Sequence, residues 1–227
     1  MELLDDVEWV PVVQAFPNYM QLYDKVAAID KYGMRLLSDV LQLRAQDTFV
    51  AMMPIPMSPA GVSETASAAA AGKGEGGGKV FPYAMAWPFT VVRGATDGGG
   101  VLAHGALLTL TDMFTSLHMM LALLPAMLGH VSVSLQCNTP RPMREGEKFV
   151  AVTRIDKMGK RLMFSTVEFL CGTPAAASAE QEKQMGKGEA METGSGIATA
   201  VRGRCVCANA KHVKAMLPPN VATTKPS

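Results

Sequence analysis

Between Asp97 and Arg141 the chain carries a single formally charged residue, Asp112, inside the run HGALLTLTDMFTSLHMMLALL. Its neighbours Leu108, Leu110, Met113, Phe114 and Leu117 are apolar. An isolated carboxylate in low dielectric costs several kcal/mol or shifts its pKa. A poorly solvated Asp112 is expected to be more basic than usual, which suits it to general-base or nucleophilic work. The alternative is an aspartate that caps a strand end or pairs with a buried donor. Asp97 precedes Gly98, Gly99 and Gly100, where an aspartate commonly begins a turn. The four cysteines, Cys137, Cys171, Cys205 and Cys207, match no zinc spacing and read as free, partly buried thiols of a reducing compartment, with no metal expected.

Composition narrows the classes of function. At 227 residues and 48% apolar the chain can build a core. A net charge of +1 disfavours direct nucleic-acid binding, which calls for a basic face. The opening MELLDDVEWVPVV is acidic and lacks a signal peptide's basic and apolar regions. The expected location is intracellular, with cytoplasm and mitochondrion undecided. The apolar stretch 101–129 is long enough to test as a membrane span. Asp112 near its middle, with His104, His118 and Pro125, argues against one.

These residues need elements to position them. Leu22, Val26, Ile29, Leu36, Leu37, Val40 and Leu43 fall at spacings of three and four with one wider gap, and predict helix over 17–45, with Gly33 as a break. Residues 47–56 and 79–92 read as strands whose prolines suit edges, ends or bulges. A long apolar helix over 104–124 follows, opened by the turn TDGGG. Four strands come next: 131–139, 147–157, 161–171 and 196–208. In the first, Val131, Val133, Leu135 and Cys137 alternate with Ser132, Ser134, Gln136 and Asn138, which places Ser132 on the opposite face from the apolar set. The segment Met158–Gly159–Lys160 predicts a tight hairpin. Residues 58–79 and 172–196, rich in Ala, Gly and Ser, read as flexible insertions. The expected organisation is a helical extension over 1–46, one domain over 47–210, and a loose tail over 211–227. The expected fold is α+β: a curved antiparallel sheet of about six strands wrapped around the apolar helix.

Four segments in this order resemble a known family. They are GGGVLAHGALLTLTD, VSVSLQCNTPRPMREGE, MGKRLMFSTVEF and GIATAVRGRCV. Together they resemble the hotdog-fold acyl-CoA thioesterases of the phenylacetate type, which include the eukaryotic thioesterase superfamily members. The resemblance covers residues 79–208 without the second insertion. It implies a hotdog fold, and an active site at a subunit boundary in which Asp112 acts as nucleophile or as general base towards water. The family's His-Gly-Gly lies at the helix N-terminus, where a backbone N–H and the helix dipole polarise the thioester carbonyl. Here Ala103, His104 and Gly105 occupy that register, so His104 and Gly105 are the candidate donors. Asp97 stands where relatives orient the carbonyl or water with Asn or Gln. Ser132 matches a serine that positions the water. Gly159, Lys160 and Arg161 match where relatives bind the nucleotide phosphates of coenzyme A, a role that suits Lys and Arg. A solvated hairpin accounts for the same residues without a ligand.

The implied activity is hydrolysis of an acyl-CoA thioester, with no cofactor beyond the coenzyme A of the substrate. The implied partner is a second copy, as a homodimer or dimer of dimers. A hydratase of the same fold fits less well, because the helix lacks that chemistry's acid–histidine pair. The alternative from another class is a catalytically degenerate hotdog protein. It would bind acyl-CoA or serve as a structural subunit of a larger, for instance mitochondrial, complex. The altered His-Gly-Gly, Asp97, the insertions and the N-terminal extension favour that alternative.

Overall fold

The computed structural model describes residues 4, 7–29, 31–54, 72–73, 79–124, 129–171, 194–203 and 205–217. Most of the two segments read as insertions lies outside them. Eight strands form one antiparallel sheet: β1 (Trp9–Pro11), β2 (Phe49–Pro54), β3 (Gly72–Lys73), β4 (Lys79–Thr90), β5 (His130–Asn138), β6 (Lys148–Met158), β7 (Leu162–Cys171) and β8 (Cys205–Met216). Seven run in the order β1-β2-β4-β6-β7-β8-β5, and β3 pairs with β4 off that path. This is the predicted hotdog architecture with one more main strand than expected. The addition is β1, which the N-terminal extension supplies. The 58–79 insertion contributes the two residues of β3.

The helices are α1 (Val12–Ala15), α2 (Tyr19–Ile29), α3 (Lys31–Arg35), α4 (His104–Leu123) and α5 (Gly194–Gly203). A π-helical turn, Leu36–Val40, continues α3, and Gly33 sits within α3 rather than ending a helix. Every residue of α4 from Leu110 to Leu123 is buried except Asp112. The sheet alone does not achieve this. Tyr19, Leu22, Tyr23, Val26 and Leu37 share one core cluster with Leu107, Leu110, Phe114, Leu117 and Leu121, so the extension covers the part of α4 that the sheet leaves open. On the sheet side Trp87 stacks on Phe114 at 4.8 Å and 16°, a geometry that adds to the burial energy. By length and composition α4 could cross a membrane, but 78% of its most apolar window is buried within the fold.

Two parts of the C-terminal reading are corrected. The stretch read as strand 196–208 begins instead as α5, because Gly196, Ile197, Ala200 and Val201 are buried together at helical spacing. The tail expected to be loose from 211 continues β8 to Met216, paired with β5 on one side and β7 on the other. The hairpin at Gly159–Arg161 forms as predicted, with Gly159 N–H donating to Leu162 O at 2.9 Å.

Candidate active site

The candidate site lies where α4 crosses β5 and β8. Asp112 leaves the helix towards these strands, and its Oδ1 accepts from Ser132 Oγ at 2.7 Å and from Lys214 Nζ at 2.6 Å. His212 Nε2 stands 3.5 Å from the same oxygen. Among the described residues, these recorded contacts all fall on Oδ1. The Asp112 side chain is 37% exposed while that of Lys214 is 1% exposed. Oδ1 is thereby anchored while the side chain as a whole stays partly exposed.

A β-bulge brings Ser132 to this place. Cys137, Leu135 and Ser132 pair with Ala210, His212 and Lys214, whereas Ser134 pairs with Val213, and the register shifts between Ser132 and Ser134. Paired residues share a face of the sheet. The extra residue, Val133, therefore puts Ser132 on the helix side together with Cys137, whose Sγ is 3.7 Å from Thr111 Oγ1. Strict alternation would have turned Ser132 outward, so the predicted face assignment is corrected. Bulges re-aim side chains in this way.

His212 links the helix to the strand. Its Nδ1 is 2.7 Å from Thr115 Oγ1 and its Nε2 is 3.0 Å from Ser132 Oγ. Burial first, then the Lys214 cation, bring its pKa down to about 4 against the opposing charge of Asp112. The ring is neutral at pH 7 and carries one proton. Because Ser132 donates to Asp112, Nε2 must be the donor to Ser132, and Thr115 then donates to Nδ1. The resulting chain of donors runs Thr115, His212, Ser132, Asp112. His130 Nε2 reaches Ser116 Oγ at 3.1 Å, and Ser116 donates to Asp112 O at 2.7 Å.

The expected basic Asp112 is also corrected. Burial alone would raise its pKa, but Lys214, through charge and hydrogen bond, together with Ser132 and His212, lowers it below the ordinary aspartate value. Asp112 is an anion at neutral pH. Sequence reasoning missed both His212 and Lys214. The available signal was the alternation Ala208, Ala210, His212, Lys214, a small-to-polar stripe unlike the apolar stripe of a core strand.

The other sequence candidates lie elsewhere. Asp97 Oδ1 accepts from Gly99 N–H at 2.8 Å and Val101 N–H at 3.1 Å, so it organises its own turn, in which Gly100 takes φ +72°. His104 and Gly105 are exposed in the first turn of α4, where backbone N–H groups lack intrahelical acceptors. They stand eight and seven residues before Asp112, about 10–12 Å at 1.5 Å per residue. Lys160 and Arg161 are exposed in the β6–β7 hairpin. Arg161 O accepts from Met216 N at 2.8 Å, and Met163 pairs with Lys214. The hairpin and Asp112 are therefore at the same end of the sheet.

Residues 99–177 match the family model of the thioesterase superfamily. Over that span the resemblance read from the sequence is borne out. No curated protein matches the chain significantly. Among solved structures, zebrafish thioesterase superfamily member 2 is 21% identical, with 60% of this chain and 77% of that one covered and a TM-score of 0.43. Thioesterase superfamily member 2 from Mus musculus is 18% identical over 88% of this chain and 95% of that one, at 0.48. A Streptococcus mutans protein bound to acetyl CoA is 12% identical over 59% of this chain and 81% of that one, at 0.41.

Proposed function

We propose that this chain hydrolyses the thioester of an acyl-coenzyme A, with Asp112 as the acting carboxylate. The observation that carries the reading is the hold on Asp112: Ser132 and Lys214 fix Oδ1 while the side chain remains partly exposed. A carboxylate held in this way acts in one of two roles. It attacks the thioester carbonyl directly, or it takes a proton from an attacking water. The depressed pKa guarantees the anionic form that either role needs at neutral pH. The neutral His212 polarises Ser132 towards Asp112 without adding charge.

The thioester oxygen requires donors that Asp112's surroundings do not supply. The free N–H groups of His104 and Gly105 fit that need by the helix-terminus argument. In this reading the donors come from the α4 N-terminus of the opposite subunit of a homodimer, since within one chain they stand about 10–12 Å along the helix from Asp112. In this reading Lys160, Arg161 and the Gly159 turn receive the nucleotide phosphates. Asp97 is assigned to its turn and not to the carbonyl, because two backbone donors already occupy its Oδ1.

The test is steady-state hydrolysis of a panel of acyl-CoAs by the wild type and Asp112→Asn. Turnover in the wild type, with loss in the variant, is the expected result. Turnover that survives the substitution would falsify the role of Asp112. A second reading, acyl-CoA binding without turnover, draws support from Lys214, which weakens Asp112 as a base. Under that reading calorimetry finds acyl-CoA binding while the panel finds no hydrolysis.

A further inference from the structure

Three of the four cysteines, dispersed in sequence, converge at the end of β8 remote from Asp112. Cys171 pairs directly with Cys205 across β7 and β8, and the register shift between Phe169 and Leu170 leaves Cys207 as the unpaired residue of a bulge. The sulfurs of Cys171, Cys205 and Cys207 all lie within 4.8 Å of one another. All three are free thiols. Cys205 to Lys214 is nine residues, about 30 Å at the rise of a strand, so this cluster is separate from the carboxylate site.

Arg141 is aimed at the same sulfurs. Its Nη1 is 3.7 Å from both Cys205 Sγ and Cys207 Sγ, and its Nη2 holds Glu147 at 2.8 Å. A guanidinium directed at two sulfurs favours their thiolate form. We propose that Cys171, Cys205 and Cys207 form a binding site for a thiophilic divalent metal ion such as Zn2+, with Arg141 as a donor to the bound thiolates. Zn–S bonds of about 2.3 Å in tetrahedral geometry bring sulfurs to about 3.8 Å apart, so closing the site requires only small side-chain movements. The half-exposed Cys205 leaves the fourth position to solvent.

Three thiolates, Arg141, Glu147 and a divalent ion sum to −1, whereas a monovalent ion leaves −2. Binding displaces protons, because metal ligation requires thiolates.

The experiment uses the full chain, reduced and chelator-stripped, titrated with Co2+ as a spectroscopic probe and then with Zn2+. One equivalent of Co2+ should give near-ultraviolet thiolate charge-transfer bands that Zn2+ abolishes. Cys205→Ser and Cys207→Ser should each weaken Co2+ on the order of 100-fold, and Cys137→Ser should leave it unchanged. Because a variant can misfold, a second arm uses wild type alone, with alkylation by iodoacetamide mapped by mass spectrometry. Zn2+ should shield Cys171, Cys205 and Cys207 and leave the labelling of Cys137 as it was. Absence of the bands, bands that persist in both cluster variants, or alkylation that ignores Zn2+ would each overturn the proposal. So would a Cys171–Cys205 disulfide that forms while no metal is taken up.

Discussion

Replacing Asp112 by Asn removes both the carboxylate proposed to act on the thioester and the ion-pair partner of the buried Lys214. Two effects are therefore expected. Turnover should fall by about 10²–10⁴, and stability in urea by about 3–5 kcal/mol, because a buried ammonium loses its carboxylate. Adding Lys214→Met to Asp112→Asn should restore much of the stability and none of the turnover. A double variant that regained activity would remove Asp112 from the reaction. The pH profile gives a separate check. With Asp112 anionic and His212 neutral down to about 4, kcat/KM should stay flat from neutral pH downward and fall only near pH 4. Lys214→Met, by removing the cation that depresses Asp112, should move that acid limb upward. A wild-type limb near the ordinary histidine value would contradict the assignment. Asp112 was legible in the sequence because one charge stands in an apolar run. For His212 and Lys214 the small-to-polar stripe of β8 was the one local signal, and it does not name Asp112 as their partner, because that depends on the pairing of β8 with β5.

The N-terminus of α4 offers a test that separates binding from folding. A Cβ built on Gly105 meets nothing within 4 Å, so Gly105→Ala should leave stability unchanged or raise it by up to about 1 kcal/mol through helix propensity. If the Gly105 N–H approaches a thioester, the new methyl group intrudes on that approach, and KM for acyl-CoA should rise with the melting temperature unaffected. An unchanged KM would remove Gly105 from the binding surface. Elements also explain where sequence reading stopped. The order of helix, strands, apolar helix and strands was legible, since apolar period and turn residues are local signals. The bulge at Val133 was not, because an extra residue in a strand leaves the alternating letters intact while reversing their faces. In α5 the β-branched Ile197, Thr199 and Val201 suggested a strand, but the helical spacing of its buried residues prevailed over propensity.

Over the whole molecule, acid should unfold the protein earlier than its carboxylates alone require. His118 is fully buried, with Nε2 donating to Pro82 O at 2.8 Å and Nδ1 accepting from Thr153 Oγ1 at 2.9 Å, and burial lowers its pKa to about 4. Its unfolded value is near 6.5, so between these two the unfolded chain binds the extra proton. Stability is therefore lost as pH falls from about 6.5 to about 4, by on the order of 3 kcal/mol from His118 alone. A urea midpoint that is level across that window would contradict this account. The sheet has two edges of unequal character. At one, β1 is three residues long and ends in Pro11, which blunts further pairing. At the other, β5 is nine residues long, pairs among the described residues only with β8, and exposes Val131 at 48% and Val133 at 59%. A long edge with exposed valines is open to another strand, and a second copy of the chain would supply the helix-terminal donors that stand about 10–12 Å from Asp112 in its own subunit. Val133→Lys places a charge on that edge without entering the core. If the proposed homodimer forms through this edge, it should leave thermal stability per chain nearly unchanged, shift the protein from dimer to monomer in sedimentation, and abolish the proposed turnover while Asp112, Ser132 and Lys214 remain in place. A fully active monomer would show that one subunit completes the site by itself, and the donors for the thioester oxygen would then have to come from groups other than His104 and Gly105.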